Sequence, residues 1–206
     1  KLKSQQLGVI TFVLSGGYLV GAFLATFLSQ RLEKRTVAMI GISLIGVGQL
    51  CPVGLALLGV IPISAAVPVL MIASVVSGIG AAAALIGFQS AMADAADEHE
   101  HLFGARREGL YFAGISFSAK ASSGIGAIIA GIIIDLIDFP KGLDLPGAPH
   151  VAVPDAVIHR LAAFHGPGAA VITGIAVLIL SLYRRGRRDH EEVRTALLER
   201  RATAGN

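Results

Sequence analysis

Residues 93–124 read ADAADEHEHLFGARREGLYFAGISFSAKASSG. An acidic run and two adjacent arginines precede a segment that is apolar and rich in Gly and Ser. A single lysine, Lys120, lies inside this apolar segment. If the segment crosses a membrane as a helix, the lysine restricts how that helix can be placed, because a charged group faces lipid only at a cost.

The rest of the chain has the composition of a membrane protein. It has 206 residues, of which 54% are hydrophobic and only 15% are charged, whereas soluble domains carry about 25% charged residues. The mean hydropathy is +0.72. The net charge of +3 arises from basic residues at the ends of apolar runs, which is typical of membrane topology and argues against a nucleic-acid partner. The single cysteine, Cys51, excludes an intramolecular disulfide and is interpreted as a packing residue.

Five apolar segments are each long enough to cross a hydrocarbon core of about 30 Å, which takes roughly 20 helical residues. Backbone groups in lipid must bond within their own segment, so these segments are predicted to be helices. Their predicted ranges are 6–29, 36–61, 65–92, 109–135 and 163–183. The sequence therefore predicts an all-α membrane bundle over residues 1–183, followed by a basic cytoplasmic tail over 184–206.

The distribution of Lys and Arg predicts the orientation of these spans. One side collects the basic connection 29–35, the two arginines of the quoted stretch and the arginines of the tail, whereas the other side has only Lys1, Lys3, Lys141 and Arg160. Because cytoplasmic segments carry the excess of basic residues, the tail and residues 93–108 are predicted to lie in the cytoplasm. The protein is thus expected to be a multi-pass protein of the cell inner (cytoplasmic) membrane, and a further span before Lys1 would bring the count to six.

Lys120 is predicted to lie near the middle of the fourth span. It follows Glu108 by twelve residues, which is about 18 Å along a helix. Its neighbours at helical spacing form a small and partly polar stripe: Ala113, Ser116, Ser123, Gly124 and Ala127. We expect Lys120 to face a packed bundle or a wet cavity, as a cation that binds substrate or takes part in coupling. The alternative is a lysine permanently paired with one buried carboxylate as a packing device.

Other polar side chains of the spans are candidates for the same cavity. With Lys120, the predicted substrate and coupling residues are Ser116, Ser123, Tyr18 and Gln49. For each of these partners the alternative is an ordinary hydrogen bond between helices.

The acidic run and the two arginines are interpreted as part of a gate. The predicted gate residues are Asp94, Asp97, Glu100, Arg106, Arg107 and Glu108. Opposite charges at the end of one span and the start of the next can pair with each other and with a neighbouring domain, and so hold the cytoplasmic side shut. The alternative is a solvated loop. No metal site is expected, because the histidines alternate with acids and no HExxH motif is present.

The quoted stretch resembles the region between the tenth and eleventh helices of the glycoside–pentoside–hexuronide:cation symporters, the melibiose-permease-like branch of the major facilitator superfamily. The family pattern is roughly A-D-x-x-D-Y-x-E, then R-x-E-(G/S), then a lysine twelve residues after that glutamate. Six positions match: Asp94, Asp97, Glu100, Arg106, Glu108 and Lys120. Glu98 departs from the pattern, because the family usually has tyrosine there.

The resemblance implies that the five spans are helices eight to twelve, in the C-terminal six-helix half of a transporter. It implies alternating access and cation-coupled symport of a glycoside or another small polar solute, with Lys120 in the central cavity. Na⁺ or H⁺ would be bound mainly by the N-terminal half, which lies outside this sequence, and no other cofactor is expected. The expected partners are the lipid bilayer, that N-terminal half and the solute.

Two alternatives remain open. Related members carry lipids and use the matching lysine for a phosphate head group. A non-transporting membrane scaffold that keeps the fold is the other. An enzyme is not expected, because the sequence has no nucleophile–base constellation and no nucleotide-binding loop.

Overall fold

The computed structural model describes residues 4–60, 62, 65–105, 107–140, 153–182, 193 and 195. These residues form five long helices: α1 (Ser4–Arg31), α2 (Lys34–Leu57), α3 (Ala66–Phe103), α4 (Glu108–Leu136) and α5 (Asp155–Leu182). All five are long and apolar enough to cross a membrane. The predicted all-α membrane bundle is therefore confirmed, while the predicted tail 184–206 lies almost entirely outside the described residues.

The third span is the element whose predicted end differs most from the structure. It was predicted to end at residue 92, but α3 continues to Phe103 and includes the whole acidic run. The run contains several good helix formers and neither Gly nor Pro, so nothing in it stops a helix. The helix ends where Gly104 adopts a left-handed conformation, with φ of 72°, and its N–H bonds to the Glu100 carbonyl. Such a glycine is a common helix terminator.

The fifth helix also differs from its prediction, since α5 begins at Asp155 and not near residue 163. Pro154 precedes it, and an acidic residue lies in its first turn, both of which favour a helix start. Two helices contain an internal proline, Pro52 in α2 and Pro167 in α5. A proline removes one backbone hydrogen bond, which membrane helices tolerate when neighbouring groups compensate.

Helix α3 lies at the centre of the packing, with α1 on one side and α2 on another. Glycines allow these backbones to approach closely. A Cβ on Gly21 of α1 would lie 2.6 Å from the Ile79 Cα of α3, and a Cβ on Gly80 of α3 would lie 2.6 Å from the Gly41 carbonyl oxygen of α2. Small residues at helix contacts are typical of membrane bundles, where packing and not hydrophobicity holds helices together.

Helices α4 and α5 lie at the periphery. Helix α5 packs along α2, where Gly46 faces Thr173 and Gly166 faces Val53. Helix α4 makes only light contacts with α3 and α5, and none of its residues is buried. Many large apolar side chains of the bundle are exposed, including Phe12 and Phe23 at 79% each. An apolar exterior of this kind fits a chain whose surroundings are lipid and other helices.

The helix starts and ends define two ends of the bundle. The charged end comprises residues 31–35 and 94–108, where α1 and α3 finish and α2 and α4 start. Lys34 of α2 meets Asp94 of α3 at this end. Helix α3 continues for nine residues beyond that contact, about 14 Å. The opposite end holds the turn after α2, the end of α4 and the start of α5.

Candidate functional site: the Lys120 face and the charged end

Lys120 lies twelve residues into α4, and its side chain is exposed. It makes no hydrogen bond or ion pair with the described residues. Ser116 and Ser123, which flank it at helical spacing, are exposed as well. The three polar side chains thus form one open strip on a helix that is otherwise rich in isoleucine, as the sequence predicts. We call this strip, with its small neighbours, the Lys120 face.

The opposite side of α4 faces α3. Tyr111, Ile115 and Ser122 are among the residues that line a cavity between the two helices, whereas Lys120 is not. At 3.6 residues per turn, Lys120 lies about 140° around the helix axis from Ile115. The Lys120 face therefore points away from the rest of the described bundle. A charge in this position requires a partner or water beyond the five helices, since lipid is a costly surrounding.

The structure does not bring the other two predicted cavity residues to the Lys120 face. Tyr18 is partly exposed on α1, and α1 makes no contact with α4. Gln49 lies on α2, where its Oε1 is 3.0 Å from the Nε2 of His165 on α5. The geometry fits a ring N–H that donates to the amide oxygen. Gln49 thus makes the interhelical hydrogen bond that was its alternative reading.

His165 was not identified as a site residue from the sequence. The signal was present, because a histidine inside a predicted span is an ionisable group in the membrane, and such groups pair or serve function. What the sequence could not supply is the register of α5 against α2. Gln49 and His165 are 116 residues apart, and only the packing of the two helices makes them neighbours.

At the charged end, the clearest ion pair joins two helices in a way the sequence analysis did not foresee. The Lys34 Nζ of α2 lies 2.5 Å from the Asp94 Oδ1 of α3, with both side chains half-buried. The acidic run was expected to pair with Arg106 and Arg107. Arg106 lies outside the described residues, and Arg107 is exposed at the start of α4. Lys34 was already placed on the same side of the membrane as Asp94, but its role was not recognised.

The other predicted gate residues lie close together around the α3–α4 turn. Asp97 and Glu100 are half-buried in the last two turns of α3, and Glu108 is half-buried in the first turn of α4. His99 links the two helices, since its ring centroid is 4.7 Å from that of Phe103 and 5.8 Å from that of Tyr111. These residues form the structured end of a helical hairpin and not the loop that was predicted.

Another ion pair lies at the opposite end. The Arg160 Nη1 of α5 is 3.7 Å from the Asp138 Oδ2 that follows α4, and both side chains are largely exposed. Among the described residues, no group of three or more His, Cys, Asp or Glu side chains is arranged to hold a metal ion.

Comparison with known proteins agrees with this architecture. The profile of a family described as MFS/sugar transport protein matches residues 2–186. The chain belongs to this family. It is also 25% identical, over 199 residues, to a protein of Synechocystis sp. (strain ATCC 27184 / PCC 6803 / Kazusa) named as an uncharacterized symporter. The alignment covers 97% of the chain and 35% of that relative, so the chain spans about a third of the relative's length. No solved structure matches.

Membership of the MFS/sugar transport family confirms the major facilitator resemblance and the assignment as a multi-pass membrane protein. It supplies no residue roles. The roles of Lys120, of the charged end and of the Gln49–His165 pair therefore have to be argued from their geometry.

Proposed function

We propose that this chain forms the C-terminal half of a cation-coupled symporter that carries a glycoside or another small polar solute by alternating access. In this mechanism two helical halves rock around a site near the middle of the membrane. Family membership supports transport of sugars in general, and the name of the Synechocystis relative supports symport. Na⁺ or H⁺ would be the coupling ion, held mainly by residues of the other half.

The exposed Lys120 is the observation that carries the proposal. A lysine at this depth costs about 2.5–3.5 kcal/mol even on the most lenient insertion scale. The strip of Ser116, Lys120 and Ser123 lies on the side of α4 that no described helix covers. The proposal accounts for the cost, because a water-filled cavity between two halves gives the ammonium group solvent, substrate or a carboxylate of the other half as its partner.

The charged end supplies the second part of the mechanism. We assign the acidic residues of α3 and the arginines at the start of α4 to the cytoplasmic gate. The Lys34–Asp94 pair would hold α2 and α3 together as one unit. The remaining charges of the hairpin would meet the other half when the cytoplasmic side closes.

A lipid substrate is the second candidate function. The same ammonium group would bind a phosphate head group, as the resemblance to lipid-carrying members implies. A scaffold role without transport would leave Lys120 with a permanent structural partner. The three alternatives differ in what happens to uptake when the ammonium group is removed.

The test is uptake by the complete transporter, reconstituted in vesicles and normalised to correctly folded protein. Lys120→Ala is expected to insert and fold but to lose solute uptake driven by a Na⁺ or H⁺ gradient. Lys120→Arg is expected to restore little, because a planar guanidinium does not replace a compact ammonium group. Ile128→Ala, a truncation of another exposed side chain of α4, is the control and should transport normally.

Each outcome separates the alternatives. Loss of sugar uptake with intact folding supports the symporter, and loss of labelled lipid transport supports the lipid carrier. Reduced yield of Lys120→Ala, with normal uptake by the protein that remains, would show that the lysine is structural. Absence of uptake of any tested solute by the wild-type protein favours the scaffold.

A further inference from the structure

A stripe of hydroxyl-bearing side chains runs along one side of α1. We call it the α1 hydroxyl stripe, and its members are Thr11, Ser15, Tyr18, Thr26 and Ser29. At 100° per residue, all five lie within an arc of about 80° around the helix axis. Four hydroxyls of the stripe donate hydrogen bonds to carbonyls of α1 itself, which satisfies their protons within the helix.

Tyr18 is the member of the stripe whose hydroxyl is available to a ligand. Its side chain is 39% exposed, and its phenol makes no hydrogen bond with the residues that the structure describes. Tyr18 lies near the middle of α1, where hydrocarbon offers a phenol no hydrogen-bond partner. The phenol therefore requires a partner beyond the described helices, as Lys120 does.

Helices α1 and α4 flank the same side of α3. Around α3, the residues that contact α2, those that border α4 and those that contact α1 follow one another at intervals of about 100°. They are, in that order, Gly80, Ala84 and Gly87; Phe88, Met92 and His99; and Val75, Gly78 and Ile79. The surface of α3 between α4 and α1 is open, since Leu85 is 45% exposed there and Gln89 is exposed as well.

Tyr18 is turned toward the side of α3 on which α4 lies. Both α1 and α3 run toward the charged end, so counting forward along the chain turns the same way around both helices. Tyr18 lies about 80° forward of Gly17 and Gly21, the contacts of α1 with α3. This rotation points Tyr18 along the direction from α3 to α4. Because Lys120 points from α4 away from α3, the two side chains point to the same side of the bundle.

Tyr18 and Lys120 also lie at the same depth. Tyr18 precedes Arg31 by thirteen residues, and Lys120 follows Glu108 by twelve. Both Arg31 and Glu108 belong to the charged end, so the two side chains lie about 20 Å and about 18 Å from it along their helices. A cavity on this side of the bundle would present both groups to one solute.

We propose that Tyr18 binds the transported solute at the level of Lys120, so that α1 and α4 together line the transport cavity. This inference rests on the proposed function and gives the solute a chemical class, a neutral hydroxylated molecule such as a glycoside. The phenol offers a donor and an acceptor to sugar hydroxyls, and the α1 hydroxyl stripe carries no charge. A phosphate head group would gain little from this wall beyond the contact with Lys120.

The first test is the reaction of single cysteines with a charged methanethiosulfonate, which reacts with thiols in water. The complete transporter, without other cysteines, is placed in nanodiscs, which are open to water on both sides. Tyr18→Cys and Lys120→Cys should both react. Gly16→Cys is the matched control, because it lies on the same helix about 160° around the axis from Tyr18, with no atom within 4 Å of a Cβ. It should react about tenfold more slowly, since the reactive thiolate forms in water.

The second test is uptake by Tyr18→Phe, which removes only the hydroxyl. The probe is the radiolabelled methyl glycoside that the wild-type protein takes up best from a panel of methyl hexosides and methyl pentosides. We expect KM to rise about threefold to tenfold, the effect of one lost hydrogen bond, with the maximal rate nearly unchanged. Tyr111→Phe makes the same chemical change on the side of α4 that faces α3, and it should keep the wild-type KM.

The outcomes separate this proposal from the symporter proposal. Slow reaction of Tyr18→Cys beside fast reaction of Lys120→Cys would show that Tyr18 lies outside the cavity, while the symporter proposal stands. Equal rates for Tyr18→Cys and Gly16→Cys would show that the stripe is not a distinct wet side of α1, and an unchanged KM in Tyr18→Phe would remove its hydroxyl from the binding site. If neither Tyr18→Cys nor Lys120→Cys reacts, the water-filled cavity is absent and both proposals fail. Absence of uptake of every methyl glycoside by the wild-type protein would overturn the assigned solute class.

Discussion

Two lysines of this chain show how the role of a charged side chain depends on its position. Lys34 lies at the charged end, where its side chain is 33% exposed and paired with Asp94. Lys120 lies in the middle of an apolar helix and makes no ion pair within the described residues. Near water a cation costs little free energy and its ion pair contributes little to stability. In the membrane the cation requires a partner. Only the second lysine therefore points to function by its position alone.

The Lys34–Asp94 pair gives a prediction that can be measured by a double-mutant cycle. Lys34→Ala, Asp94→Ala and the double variant should show a coupling energy of about 0.5–1 kcal/mol in thermal unfolding, because both side chains are only half-buried. The coupling should weaken at high salt.

The control cycle uses Arg160 and Asp138, whose side chains are 58% and 87% exposed at 3.7 Å. Their coupling should be near zero. If the two cycles give equal coupling energies, the Lys34–Asp94 pair is no stronger than a surface contact, and its assigned role as a link between α2 and α3 is lost.

The sequence predicted which side of a helix a residue lies on better than it predicted which residues contact each other. That Ser116, Lys120 and Ser123 share one side of a helix follows from helical spacing alone, and in the structure this side is exposed; its place in a cavity stays a prediction. The partner of Asp94 and the partner of Gln49 do not follow from spacing. They lie 60 and 116 residues away, and a shift of one residue in helix register would replace them. Long-range register is decided by side-chain packing, which one sequence does not display.

At the scale of helices, the residues at which the membrane span ends differ from the residues at which the helix ends. All five helices were predicted as spans, because long apolar runs are unambiguous. Helix α3 continues eleven residues beyond the predicted third span, and helix α5 begins eight residues before the predicted fifth span. In both cases the extra residues are polar enough to leave lipid but still favour a helix. Hydropathy marks where the membrane ends, and glycine, proline and helix propensity mark where the helix ends.

The contact of α1 with α3 gives a prediction at this scale. Gly21→Leu should strongly destabilise the bundle, because a Cβ there would lie 2.6 Å from the Ile79 Cα and backbone cannot move aside as a side chain can. Overpacking typically costs about 1–3 kcal/mol. Gly16→Leu is the control, since it lies on the same helix with no atom within 4 Å of a Cβ.

The measurement for both variants is thermal stability in detergent, followed by size-exclusion chromatography. Gly21→Leu should melt at lower temperature and aggregate, and Gly16→Leu should behave as wild type. Equal stability of the two variants would contradict the packing of α1 on α3.

The Gln49–His165 contact makes a weaker prediction. Hydrogen bonds between membrane helices contribute about 0.6 kcal/mol on average. Gln49→Leu should therefore lower stability slightly, by less than Gly21→Leu, because α2 and α5 keep their glycine contacts. Solute uptake should be unchanged, since Gln49 faces α5 and not the Lys120 face. A large loss of uptake with normal folding would instead assign Gln49 to the substrate cavity.

At the scale of the whole molecule, the packing is uneven in a way that fits a half-transporter. Helices α1, α2 and α3 form a close-packed group through glycines, while α4 lies beside them with one face open. The chain spans about a third of the length of its Synechocystis relative. The open Lys120 face is thus proposed to meet the other half of the transporter, and the tight group to move as one body when the halves rock.

Orientation is the last prediction, and it follows from the excess of basic residues at the charged end. In a background without other cysteines, which includes Cys51→Ser for the single cysteine of this sequence, Phe103→Cys and Asp138→Cys place one thiol at each end of the bundle. Both positions are exposed. An impermeant maleimide added to intact cells should label Asp138→Cys only, whereas Phe103→Cys should react after the cells are broken. Labelling of Phe103→Cys from outside would show that the orientation is the reverse of the predicted one. The acidic hairpin would then lie outside, where it could not serve as the cytoplasmic gate.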